Sequence, residues 1–115
     1  MDIEALRKIC KQLPDVTEDV KWEHDLCFCI GAKMFCVTGF TIPMKVSLKV
    51  RDEEFNELCS TADIIPAPYL ARYKWILITE VNRFTKKEWK YYITQSYQLV
   101  RDKLPKKILN ELQDV

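Results

Sequence analysis

Apolar residues recur along the chain at two spacings, and the switches between them predict its elements. Ile3, Leu6, Cys10 and Leu13 keep the spacing of an amphipathic helix, with Asp2 placed to cap its start and Pro14 to close it. Strand signals fill the next fifty residues, over 17–22, 26–30, 33–38 and 44–50. In the last of these Met44, Val46, Leu48 and Val50 alternate with Lys45, Ser47 and Lys49, which places the lysines on the face opposite the core. Gly31-Ala32 predicts a two-residue type II′ hairpin with Phe28 opposite Phe35 and Cys27 opposite Cys36. Cys29 shares the face of Cys27, so that register would gather three thiols.

The pattern then returns to helical spacing. Asp52 opens a short helix that turns Phe55, Leu58, Cys59 and Ala62 inward, a loop covers 63–68, and Trp75-Ile-Leu-Ile-Thr79 reads as a buried strand. Thr85-Lys-Lys-Glu88 is a capping box, with Phe84 set to staple onto Trp89. Trp89, Tyr92, Ile93, Ser96, Val100 and Leu104 continue as one stripe, and the small Ser96 marks a place where the helix can approach a sheet closely. Pro105 ends that helix and takes the first position of a last short one, which turns Ile108, Leu109 and Leu112 inward. Strands joined by tight turns, with helices before and after them, predict an α+β fold: one two-layer domain over 1–115, an antiparallel sheet with helices packed on it.

Composition narrows the possible functions. The 115 residues fit one domain, and their apolar and charged fractions are those of a soluble globular protein. No apolar run is long enough to cross a bilayer, and MDIEALRKIC opens with acidic residues and an amphipathic pattern in place of a signal peptide. The expected protein is a cytoplasmic monomer with no membrane partner. Five scattered cysteines without CxxC spacing fit neither a disulfide framework nor a zinc ribbon, so reduced thiols and no metal are expected. Only two glycines occur, too few for a phosphate-cradling loop, and no cofactor is expected. The lone His24, between Glu23 and Asp25, reads as a packing or hydrogen-bonding residue, because neighbours along a strand point to opposite faces. Glu53-Glu54 suits a helix's first turn without any chemistry. The protein is therefore expected not to be an enzyme.

Charge is uneven although the net is +1. Residues 1–65 hold 8 Lys and Arg against 12 Asp and Glu, whereas residues 66–115 hold 10 against 5. The cations that stand beside aromatic rings, or on the expected open face of the sheet, are Lys33, Lys45, Lys49, Arg72 and Lys74, with Tyr73 among them. They suit a polyanion, and they equally suit a solvated surface.

Five segments in order carry a resemblance: Trp22-Glu-His-Asp-Leu-Cys-Phe28; Gly31-Ala-Lys-Met-Phe35; Val46-Ser-Leu-Lys-Val50; Pro66-Ala-Pro-Tyr-Leu70 with Trp75 behind it; and Ser96-Tyr-Gln-Leu-Val100 followed by Lys103-Leu-Pro-Lys106. Together they resemble the MmcQ/YjbR family over residues 3–107. The resemblance implies a CyaY-like or secretion-chaperone-like fold and a DNA-binding double wing. One wing would be the hairpin at Gly31-Ala32-Lys33, and Lys33, Lys45, Lys49, Arg72 and Lys74 would contact phosphate. Tyr69-Leu70 would pack as a corner. The chaperone-like fold implies the alternative, a protein- or peptide-binding module.

Overall fold

A computed structural model describes residues 1–112. The elements run α1 (Ile3–Lys11), β1 (Thr17–Lys21), β2 (Asp25–Ile30), β3 (Lys33–Gly39), β4 (Val46–Lys49), α2 (Asp52–Cys59), β5 (Ile64–Pro66), β6 (Trp75–Ile78), α3 (Lys86–Arg101) and α4 (Lys106–Glu111). Six antiparallel strands form one sheet in the order β1-β2-β3-β4-β6-β5, with helices layered on one face. The α+β two-layer expectation holds.

The predicted starts of α1 and α3 are present. Asp2 Oδ1 accepts from the Ala5 amide at 2.8 Å. At α3 the Thr85 hydroxyl accepts from the Glu88 amide at 3.1 Å, and the Glu88 carboxylate accepts from the Thr85 amide at 2.9 Å. The staple also forms, with the Phe84 and Trp89 rings 5.1 Å apart and edge to face. In α2 only the carboxylate half of such a box is seen: Glu54 accepts from the amide of Arg51, the true cap residue, at 3.3 Å. That helix stops at Cys59, so Ala62 is exposed in a turn and does not face inward.

Two strand expectations change. The segment 63–68 contains β5, which the prolines hide; Pro66 is tolerated because β5 is an edge strand and needs no donor on its open side. The β2–β3 turn has positive φ at both Gly31 and Ala32, which makes it type I′, not II′. Its first pairs are Ile30 with Lys33 and Cys29 with Met34, after which a bulge shifts the ladder so that Phe28 faces Cys36 and Cys27 faces Val37. The expected Phe28–Phe35 and Cys27–Cys36 pairs are therefore absent. Phe35 is the extra residue, and the bulge lets Phe35 and Cys36, neighbours in the chain, both enter the core.

The core lies between the sheet and the helices. Leu26, Phe28, Ile30, Val46, Leu48, Ile64, Ile76 and Ile78 supply it from the strands, and Leu6, Trp89, Ile93 and Tyr97 from α1 and α3. Ser96 sits at the closest approach of α3 to the strands. Its hydroxyl donates to the Phe35 carbonyl at 2.6 Å and accepts from the Lys49 amide at 2.9 Å. These two backbone groups lie one step beyond the last β3–β4 pair, Cys36 with Leu48, so the serine continues the ladder where the bulge would otherwise interrupt it. At β1, Arg7 makes a two-pronged contact with Glu18, at 2.9 and 2.7 Å, and holds α1 to the edge strand.

Ser96→Ala leaves a buried amide and a buried carbonyl without that partner, so urea unfolding followed by circular dichroism should show a loss of about 1–3 kcal/mol. An unchanged midpoint would show that the ladder closes without the serine.

Candidate nucleic-acid interface

The face of the sheet away from the helices carries Lys49, whereas Lys33 pairs with the core residue Ile30 and so starts β3 on the helix side. Pairing aligns Asp19, Cys27, Val37, Ser47, Leu77 and Ile65 in one row across all six strands. The next row includes Cys29, Lys49 and Trp75, since Lys49 pairs with Trp75. Cys27, Cys29 and Trp75 are buried yet lie outside the core cluster, as residues of this second face should.

Between β5 and β6 the chain makes a tight excursion over one end of that face. The Ala67 amide donates to the Trp75 carbonyl at 3.0 Å, and the Tyr73 and Lys74 amides donate back to Leu70 and Ala71 at 3.0 and 2.9 Å. A single 3-10 turn over Ala71–Tyr73 results, closed by Lys74 in the left-handed region at φ 65°. The Lys74 carbonyl then accepts from the Val50 amide at 2.9 Å, which ties the excursion to the end of β4.

This turn brings four of the candidate residues together. The Lys49 ammonium donates to the Tyr73 carbonyl, the Arg72 guanidinium donates to the Tyr73 hydroxyl and stacks over its ring at 4.7 Å, and the Lys74 ammonium lies 5.1 Å over the Phe55 ring. Arg72 and Tyr73 are exposed, while Lys49 and Lys74 are half-buried. Burial lowers the Lys49 pKa first, the positive fields of Lys103 and Lys74 lower it further, and Asp52 opposes them. Lys103, which sequence reasoning passed over, thus acts within the field of Lys49. The signal was indirect: Ser96 seats α3 against the end of β4, and Lys103 follows two helical turns later.

The other two lysines divide. Lys33 starts β3 at the tip of the β2–β3 hairpin, at the same end of the sheet as the close of β4. Lys45, just before β4, lies at the opposite end beside the β3–β4 loop, so it shares a face with Lys49 but not a cluster. None of Lys33, Lys45, Lys49, Arg72 and Lys74 forms an ion pair among the described residues. Tyr69 corrects the expectation of a packed corner. At 98% exposure and φ 67° it projects from the excursion, while Leu70 alone turns partly inward.

A family model described as YjbR matches residues 11–99. The chain belongs to the YjbR family. Solved structures share its fold. A Deinococcus radiodurans protein of domain DUF419 superposes with a TM-score of 0.84 at 26% identity, covering 95% of this chain and 86% of that one. A Pseudomonas syringae protein superposes at 0.70 and 22% identity, covering 86% and 98%. Among curated proteins, none matches.

Other candidate chemistry in this YjbR domain is dispersed. The bulge places Cys36 in the core beside Cys10, whereas Cys27 and Cys29 lie on the opposite face, so the three thiols do not gather. Among the described residues no three His, Cys, Asp or Glu side chains converge as metal ligands. His24 is exposed in the β1–β2 turn, where its amide donates to the Lys21 carbonyl. Burial pushes the Cys27 thiol up to about 11, assisted by the adjacent Cys29, and burial also raises Cys29 and Cys59, while the thiol contact with Cys10, followed by burial, raises Cys36.

Thiols held above their ordinary pKa remain protonated and unreactive near neutrality. Iodoacetamide at about pH 8 should therefore modify half-buried Cys59 first, and the four buried thiols only after unfolding, as read by peptide mass spectrometry. Early labelling of Cys27 would contradict its placement.

Proposed function

We propose that the protein is a non-enzymatic DNA-binding module that uses the basic end of its open sheet face. The observation that carries this reading is the convergence of Lys49, Arg72 and Lys74 at the Ala71–Tyr73 turn, with Lys103 and the carboxylate of Asp52 acting within the field of Lys49. Phosphate oxygens supply direct ion-pair partners, which these cations lack among the described residues, and exposed Tyr69 and Tyr73 offer flat rings to an unstacked base. Lys33, at the tip of the hairpin at the same end, extends the footprint as a wing. Lys49 contributes through position as much as charge, because its ammonium also holds the turn that displays Arg72. Lys45 lies outside this footprint. The small net charge suits local phosphate contacts, not general adhesion to a polyanion.

A protein- or peptide-binding module is the second reading. It draws on Val20, Trp22, Phe40 and Ile42, which are exposed, and on β1, an edge strand with an unpaired side. Val20 and Phe40 line one groove together with Ile3 and Leu26.

Arg72→Glu combined with Lys74→Glu should lower affinity for labelled DNA at least about tenfold near 50 mM salt and reduce the salt slope by about 2, whereas Lys45→Glu should change affinity less than about twofold. Fluorescence anisotropy on duplex and single-stranded DNA measures both. Equal loss from Lys45→Glu would dissolve the proposed footprint, and absence of binding at any salt would favour the peptide reading.

A further inference from the structure

A groove of about 550 Å³ runs along α3 where that helix meets the β4–α2 junction, well within the size of small-molecule sites, about 300–1,000 Å³. Arg51, Lys87 and Lys90 stand around it, against one carboxylate, Asp102, whose Oδ1 already accepts from the Gln98 amide at 2.6 Å. None of the three cations forms an ion pair among the described residues. The groove therefore favours an anion.

Gln95 also lines it, and this residue is unusual. It is only 7% exposed, its Nε2 donates to the Tyr91 hydroxyl at 3.2 Å, and its Oε1 is buried with no hydrogen-bond partner. Exchanging the amide's two ends would leave an orphan donor in place of an orphan acceptor, so one polar atom stays unspent either way. Such an atom is costly in a site that stays empty, and useful in one that a ligand completes. Beside it Tyr91 is half-exposed, its ring fixed edge-on to Tyr92 at 5.0 Å and its hydroxyl held by Gln95. A flat platform, a side-chain amide and a cationic rim thus share one groove.

From this we infer that the α3 groove binds an adenine nucleotide, with the base stacked on Tyr91 and its edge on the Gln95 amide, and the phosphate among Arg51, Lys87 and Lys90. Adenine presents a donor and an acceptor side by side, and so meets the glutamine amide in either orientation. The site does not depend on the basic end of the sheet, from which it differs in every residue.

Adenosine monophosphate followed by proton–nitrogen NMR should give saturable shifts at Thr94, Gln95 and Leu99 with a Kd below about 1 mM. Inorganic phosphate alone should not reproduce them. Gln95→Leu should lose at least about tenfold in affinity while its thermal midpoint stays level or rises, because the orphan atom is gone. If that variant fails to fold, exposed Arg51→Glu supplies the same test: it should weaken the nucleotide and leave adenosine unaffected. Tighter binding of a short deoxyadenosine strand than of the mononucleotide would assign the groove to one nucleotide of a chain, and equal binding to the free nucleotide. Arg72→Glu with Lys74→Glu should bind the mononucleotide normally, which separates this site from the DNA-binding face. No saturation by about 1 mM, or undiminished binding to Gln95→Leu, would overturn the inference.

Discussion

The hydroxyl of Ser96 is shared between two strands, and much of the domain follows from where it must sit. A bulge at Phe35 turns two successive side chains into the core, and the local ladder between β3 and β4 stops there. A larger residue at position 96 would hold α3 away from the sheet, and an apolar one would leave the Phe35 carbonyl and Lys49 amide unserved. With α3 fixed at that point, its N-terminal half covers the core through Trp89 and Ile93. Tyr97 packs edge-on to Phe35 at 5.4 Å, and its hydroxyl reaches the Pro14 carbonyl at 2.7 Å. One serine thus sets the depth of the helix layer and joins the bulge to the turn after α1.

Its second consequence is electrostatic. The residue whose amide Ser96 accepts is Lys49, and the side chain of Lys49 emerges on the other side of the sheet to support the Ala71–Tyr73 turn. The helix layer and the cationic face are therefore mechanically linked across a single strand. The opposite end of the sheet has another character. There Trp22, Phe40 and Ile42 stand exposed in loops beside Glu23, Asp25 and Lys45, so that end mixes large apolar side chains with charges of both signs.

The helices, and the caps of α1 and α3, were legible in the sequence because their signals are local. Asp2, and Thr85 with Glu88, lie three residues from the partner they need, and Phe84 lies five from Trp89. The strands were legible in number except for β5, where three residues ending in proline carry little pattern. The cross-strand register was not. Counting outward from the Gly31-Ala32 turn assumes a strict period of two, and one inserted residue at Phe35 exchanges the faces beyond it, which is why Cys27 and Cys36 separate. For the site, alternation placed Lys45 and Lys49 on one face but could not say that four residues of strand set them at opposite ends. Gln95 was invisible for a related reason: a polar residue in a long helix reads as solvent-facing until the helix's packing shows it buried.

Gly31 shows how tightly one end of this arrangement is specified. Its backbone is left-handed at φ 56°, a conformation that asparagine can often share, yet a Cβ here would meet Leu104 Cδ1 at 2.8 Å and Ile108 Cγ2 at 2.9 Å. The hairpin tip is in effect the stop against which the C-terminal helix rests. A side chain added at Gly31 would meet the ends of the Leu104 and Ile108 side chains, which would have to shift to admit it. The absence of a single carbon atom therefore lets the hairpin tip lie directly against the apolar side chains of the C-terminal segment.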